Sequence, residues 1–273
     1  MNFKKVEIIF ILAFLILDVF LINIFINKYV GTPSQAIENQ SMDIVTEFKA
    51  NNIQYDEISD EILRIPFVRA LNTTLNEETV SELTEDTQSV EVNANQILAQ
   101  INTPIQLEGV TAETPSGELS DSALSSLNQF INSEVYQGSQ YRFISYDKLA
   151  GKVTYMQETA SGAVVADGNG EIIFQVNDDY AVYAYDQTIT GETASQGEER
   201  TVISEQQALE NAFLNNSIPD ESIILRSFLA YRETLALDEI TLYHPVWTLL
   251  ILTNEGTTQR VFVDGINGAI MTQ

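Results

Sequence analysis

Cysteine is absent from this chain, and histidine occurs once, as His244. Without thiols there are no disulfides, no thiolate metal sites, no cysteine nucleophile and no cysteine to carry a lipoprotein anchor. An exported domain of this composition depends on packing alone for its stability. Basic residues are scarce too: 13 Lys and Arg stand against 39 Asp and Glu, a formal charge of −26. A surface of that sign repels nucleic acid and anionic polymers, so no nucleic-acid partner is expected. There is no G-x-S-x-G elbow to serve His244 in a Ser-His-Asp site. A zinc site would need His244 plus carboxylates alone, an uncommon donor set. No glycine-rich phosphate loop or P-loop lysine occurs, and no cofactor is implied.

What the chain does have is one long apolar run at its start. Residues 8–26 read IIFILAFLILDVFLINIFI. At 1.5 Å per residue a helix of that length spans roughly 28 Å, close to a bilayer's hydrocarbon core. Lys4 and Lys5 precede the run and only Lys28 follows closely. The positive-inside rule then keeps the N-terminus in the cytoplasm and the rest of the chain outside. The run is longer than a signal-peptide core and no clean A-x-A site follows, so an uncleaved, single-pass anchor in the cell membrane is expected.

Asp18 interrupts that anchor near its middle. A carboxyl there costs on the order of 2.5–3.5 kcal/mol, so it usually faces protein or water rather than lipid. Ile11, Phe14, Leu21, Ile22 and Phe25 lie three, four or seven residues from Asp18 and share its helical face. A protonated Asp18 tolerated by a very hydrophobic helix, or one that snorkels, is the alternative. There is no G-x-x-x-G for close helix packing.

Beyond residue 30 the patterns are those of a water-exposed α+β region, helices packed on antiparallel sheets. Residues 31–52 read as a helix with Ile37, Ile44, Val45 and Phe48 on one face. Pro66, in the run ILRIPFVRAL, argues for an edge strand or a break. Residues 72–89 read as a surface loop and 111–118 as a linker, with short strands near Val90–Val92 and Ile105–Val110. A helix starting at Ser120 has Ala123, Leu124, Leu127, Phe130, Ile131 and Val135 as its apolar face. Strand-like runs follow at Tyr141–Tyr146, Lys152–Gln157, Glu171–Val176 and Tyr180–Tyr185, and 186–200 reads as a second linker. The last unit opens on a capping box at Ser204–Gln207, with Ala208, Leu209, Ala212 and Phe213 as its stripe. Strands are expected at Ile223–Tyr231, Val246–Leu252, Arg260–Val263 and Ala269–Met271.

Residues 120–185 and 204–273 thus read as one plan used twice, a capped helix and then an antiparallel meander. The expected organisation is a cytoplasmic stub at 1–7, a membrane helix at 8–27, a first α/β lobe at 31–115, a helix-plus-sheet unit at 118–190 and another at 200–273. The run Asp167-Gly168-Asn169-Gly170-Glu171 has the spacing of a calcium-loop fragment, but it is too short for an EF-hand and reads as a hairpin turn.

The C-terminal unit, SEQQALENAF, then HPVWTLLI, then RVFVDGINGAIM, resembles a PepSY-type module, whose final V-D-x-x-x-G-x-I hairpin falls on Val263, Asp264, Gly268 and Ile270. With the N-terminal segment MNFKKVEIIFILAFLILDVFLINIFINKY, in this order and at this length, the chain resembles the YycI (WalI) family, membrane-anchored regulators of the YycG/WalK sensor histidine kinase in low-GC Gram-positive bacteria. The resemblance implies a protein without catalytic activity or cofactor. It implies action with a YycH-like partner, as a heterodimer, on a kinase that controls cell-wall metabolism. It also makes Ile11, Phe14, Asp18, Leu21, Ile22 and Phe25 the candidate contact with partner helices. Two other readings stand beside it: a PepSY-like extracellular inhibitor of a wall peptidase, and an anchored cell-wall hydrolase.

Overall fold

The computed structural model describes residues 14, 15, 17, 18, 21, 22, 43–76, 80, 83, 87–93 and 96–271. The chain separates into two units, Met1–Asp43 and Ile44–Gln273. In the first, the described residues Phe14, Leu15, Leu17, Asp18, Leu21 and Ile22 are helical and exposed. Among the described residues no helix is long and apolar enough to cross a membrane. Most of the span expected at 8–27 lies outside the described residues.

The second unit is a mixed α+β body of two sheets, mostly antiparallel, with three α-helices among its described residues. The first sheet orders its strands β2-β3-β8-β7-β5-β4. These are β2 (Gln88–Asn93), β3 (Gln96–Gln106), β4 (Tyr141–Asp147), β5 (Lys152–Gln157), β7 (Glu171–Val176) and β8 (Ala181–Thr188). The helix that precedes β4 (α2, Asp121–Glu134) starts where the sequence says it should: the Ser120 hydroxyl accepts from the Ala123 N–H at 3.2 Å. Ala123, Leu127 and Ile131, four residues apart, are buried in one cluster with Tyr155, Phe174 and Tyr185 of the sheet. Phe130 meets the rings of Phe174 and Tyr185 edge-on at 6.4 and 6.2 Å. The Tyr155 hydroxyl donates to Asn128 Oδ1 at 3.0 Å and pins the helix in place.

The second sheet is built on a long ribbon, β10 (Ile223–Ala236) and β11 (Ile240–Leu252). The other edge of β11 is shared. Its Val246–Leu252 half pairs with β12 (Thr258–Asp264), which carries β13 (Ile270–Met271). Its Ile240–Tyr243 half pairs with β1 (Arg64–Leu71), which carries β9 (Thr193–Thr201). The two-residue β6 (Val164–Val165) joins β10 in parallel at Ala230 and Tyr231. The covering helix (α3, Glu205–Leu214) has its complete capping box: Ser204 Oγ accepts from the Gln207 N–H at 3.2 Å, and Gln207 Oε1 from the Ser204 N–H at 3.1 Å. Ala208, Leu209 and Ala212 pack with Trp247, Leu249 and Ile251. A short helix (α1, Ile44–Ala50) adds Phe48, which meets Phe213 of α3 at 5.7 Å. In each sheet a capped helix therefore precedes four strands that pair in chain order, β4-β5-β7-β8 and β10-β11-β12-β13.

Two local expectations need correction. Residues 186–200 are not a linker, because they hold the end of β8 and most of β9. β9 is almost wholly exposed, so its hydrogen bonds to β1 create it and no hydrophobic alternation announces it. The strand expected at Ile105–Val110 is instead the tail of the longer β3, reached across a register shift between Gln100 and Ile105. Pro66 sits at the break its sequence announces. β1 lies between β9 and β11, but Pro66 falls at a bulge between Ile65 and Phe67, and pairing with β11 begins only at Val68. Its missing N–H is therefore asked for nothing. Within 44–106, β1 enters the second sheet while β2 and β3 enter the first. Of the helix expected over 31–52, the described part runs from Ile44 to Ala50.

The sheets meet through a shared core in which Ile144 and Met156 of the first pack with Ala230, Val246 and Phe262 of the second. Beside it, Glu171 of β7 and Arg260 of β12 form a two-pronged ion pair, at 2.6 Å to Oε1 and 3.3 Å to Oε2. Glu171 is 5% exposed and Arg260 25%.

Candidate functional site

Of the residues expected to contact partner helices, Phe14, Asp18, Leu21 and Ile22 are described as helical and exposed. Their spacing of four, three and one places them on one side of a helix. Ile11 and Phe25 lie outside the described residues.

In the second unit a concavity lies where the edge strand β4 approaches β10. The cavity is about 490 Å³ and its lining includes Tyr55, Glu57, Phe143, Glu205, Arg226 and Phe228. β4 ends its sheet, and the outer edge of β10 is bridged by Gln54 at Ile223 and by β6 at Ala230 and Tyr231. The Arg226 guanidinium stacks over the Phe143 ring at 5.4 Å, with Nη1 3.5 Å from the Phe143 carbonyl. Burial, and then the neighbouring Arg142, lower its pKa, while Glu118 opposes them. Arg142 pairs with Glu158 at 3.4 Å. The lining has one serine, Ser227, and neither histidine nor lysine to activate it.

His244 lies elsewhere, on β11. Its Nδ1 is 2.6 Å from Thr234 Oγ1, and Nε2 is 3.9 Å from Asp264 Oδ2. Burial lowers its pKa, against the pull of Asp264. Asp264 is occupied by structure: its Oδ1 accepts from the N–H groups of Ile266 and Asn267 at 2.7 and 3.0 Å. Gly268 completes this turn at φ +74°, and a Cβ there would come within 2.3 Å of Asn211 Nδ2 on α3. Val263 is fully buried. The V-D-x-x-x-G-x-I pattern is thus a turn that seats the last hairpin against its helix.

The Asp167–Glu171 run is likewise a turn. Asp167 Oδ1 accepts from the Asn169 N–H and Oδ2 from the Glu233 N–H, each at 3.0 Å. Burial raises the Asp167 pKa, and those two backbone bonds oppose the rise. Among the described residues no group of His, Asp and Glu is placed to hold a metal ion. The cleft arginines went unnoticed in the sequence because Arg142 and Arg226 are 84 positions apart and neither sits in a motif.

The family model described as YycI protein matches residues 32–266. No curated protein matches the chain. Among solved structures it is similar to an uncharacterized protein from Eubacterium rectale ATCC 33656, at TM-score 0.45 and 11% identity over 81% of this chain and 89% of that one. It is also similar to YycH from Bacillus subtilis, at TM-score 0.42 and 13% identity over 74% and 53% of the two chains. The C-terminal domain of YpeB from Bacillus megaterium aligns at TM-score 0.35 and 12% identity, over 85% and 96%.

Proposed function

The chain belongs to the YycI family, a regulatory family of the YycG/WalK system, and from that premise we propose that it is a non-enzymatic, membrane-anchored regulator of a sensor histidine kinase controlling cell-wall metabolism. The observation that carries this reading is the family match across 32–266. The N-terminal run supplies the anchor, with Lys4 and Lys5 on the cytoplasmic side and the second unit outside the cell. Asp18 and the face it shares with Phe14, Leu21 and Ile22 contact helices of the kinase or of a YycH-like partner.

The mechanism is a shift of populations. A helix that packs better against one signalling state of the kinase favours that state by its difference in affinity. A coupling of about 1–3 kcal/mol changes the balance roughly 5–150-fold. The outer region, paired with the YycH-like protein, sets when that helix is available.

The test is kinase-regulon output in cells lacking their own copy, complemented with the intact chain, with Asp18→Leu, or with the first 30 residues alone. Restoration by the short anchor and a loss of control with Asp18→Leu support the reading. If any foreign anchor serves and only the outer region matters, the helix-contact mechanism is wrong.

A further inference from the structure

Asparagine followed by glycine occurs twice in the chain, at Asn169-Gly170 and at Asn267-Gly268. A glycine has no side chain to shield its amide nitrogen, so that nitrogen can reach the carboxamide of the asparagine before it. The fold requires both glycines. Gly170 sits at φ +67°, and a Cβ there would come within 3.0 Å of Gln157 Oε1 and Thr190 Oγ1. Gly268 is held to glycine in the same way, by its left-handed backbone and by Asn211. Both glycines are buried and both asparagines are exposed. The two sites differ in what their reacting groups are doing.

At the second site both groups are engaged. The Gly268 N–H donates to the Asp264 carbonyl at 2.9 Å, and Asn267 Oδ1 accepts from the Ala269 N–H at 2.8 Å. At the first site neither is. Among the described residues the Gly170 N–H has no acceptor and the Asn169 carboxamide has no partner. Only the Asn169 backbone is tied, by its N–H to Asp167 Oδ1 at 3.0 Å.

The first site also lies where the two sheets are fastened together. Asp167 Oδ2 accepts from the Glu233 N–H of β10 at 3.0 Å. The Gly170 carbonyl accepts from the Gln157 N–H of β5 at 2.7 Å. Thr188 Oγ1 of β8 donates to the Gly168 carbonyl at 2.8 Å and accepts from the Glu171 N–H at 3.0 Å. Glu171 carries the ion pair to Arg260 of β12. Residues 167–171 thus join β10 and β12 of the second sheet to β5, β7 and β8 of the first.

We propose that Asn169 is a self-modifying site, a slow one-way change built into this turn. The Gly170 nitrogen gives its proton to water and attacks Asn169 Cγ. The N–Cγ bond forms, the Cγ–Nδ2 bond breaks, and Nδ2 leaves as ammonia. Water then opens the succinimide. Attack at Cγ gives aspartate; attack at the main-chain carbonyl carbon of residue 169 gives isoaspartate, with a methylene added to the backbone. Either product puts a carboxylate two residues from Asp167. Isoaspartate also lengthens the chain between the Asp167 anchor and the Gly170 carbonyl, so the bonds to Glu233 and Gln157 loosen. Two hydrogen bonds must break before Asn267 can follow the same course, which slows it roughly tenfold or more.

The experiment ages the full-length chain in detergent micelles at neutral pH and maps it by mass spectrometry, with electron-transfer fragmentation to tell aspartate from isoaspartate. A sample unfolded in urea is aged beside it. The expected result is conversion at Asn169 running roughly tenfold ahead of Asn267 in the folded chain, and at similar rates in urea, where the hydrogen bonds are gone. Asn169→Gln should abolish the change at that position. Equal rates at the two sites in the folded chain, or no conversion at Asn169 while the urea sample converts, overturn the proposal. The same tenfold ratio in urea would trace the difference to the sequence alone and overturn it too. Hydrogen exchange on the aged protein reads the consequence. Faster exchange at the Gln157 and Glu233 N–H groups is expected in the modified fraction, and exchange equal to that of fresh protein overturns the loosening.

Discussion

The two sheets follow the same local plan and end differently. In the first, strands β4, β5, β7 and β8 are six to eight residues long and α2 closes over them. One aromatic cluster results, with Tyr155, Phe174 and Tyr185 fully buried. In the second, β10 and β11 run for 14 and 13 residues. Helices α1 and α3 cover one part of that ribbon, and the first sheet covers the other side of it at Ala230 and Val246. The remaining length projects beyond both, with Leu235 and Leu237 left in water. A shared plan explains what is packed; the surplus length of one hairpin explains what is left exposed.

The sharpest way to break this contrast is to empty the first core. Phe174→Ala should cost about 3–5 kcal/mol, measured by urea unfolding. Hydrogen exchange then shows whether the second sheet is lost with the first or survives it. Survival would mean that the shared core at Ile144, Met156 and Val246 couples the two only weakly.

Next in size is Arg260→Ala, which leaves Glu171 buried without its cation. Because Arg260 is partly exposed, the lower end of the range for buried pairs applies, about 3 kcal/mol. The double replacement Glu171→Leu with Arg260→Met should recover most of that loss in the same unfolding assay. If it does not, the pair holds the sheets together by more than charge.

Smaller effects sharpen the picture of the second sheet. Gly268→Ala forces a Cβ onto left-handed backbone beside Asn211 and should cost about 1–3 kcal/mol, seen as a lower Tm. In contrast, Leu235→Asp on the open face should change stability by no more than about 0.5 kcal/mol. A large loss there would show that the face is already covered within the chain.

His244 gives a pH signature. Its pKa in the folded protein is below the unfolded value of about 6.5. The unfolded chain then binds the extra proton first as pH falls. Stability is complete above that unfolded value and declines as pH drops through it toward the folded value. His244→Gln should flatten that part of the stability–pH curve, and an unchanged curve would refute the assignment.

Much of the local architecture was legible in the residues. Ser120 and the Ser204–Gln207 box announced both helix starts, since a cap needs only a side-chain oxygen three residues from its N–H. The apolar stripes of α2 and α3, the Asp167 turn and the Asp264–Gly268 turn were readable for the same reason. β9 was not, because a strand exposed on both faces carries no alternation to read. Pro66 was read correctly as a break, because a bulge is a place where its missing donor costs nothing. The cleft at Arg142 and Arg226 and the Glu171–Arg260 pair were invisible for another reason. Each joins residues from distant strands, and neither belongs to a motif.

The sequence by itself determined where helices begin, where turns fall, which stripes are apolar, and the acidic balance of the chain. Those signals act over three or four residues and carry their own physics. Only the tertiary structure decided that β11 shares one edge between β12 and β1, that β1 brings Arg69 beside Leu242, and that a hairpin outruns its cover. Pairing of this kind depends on matching edges brought together from far along the chain, and a shift of one residue would turn every side chain to the other face.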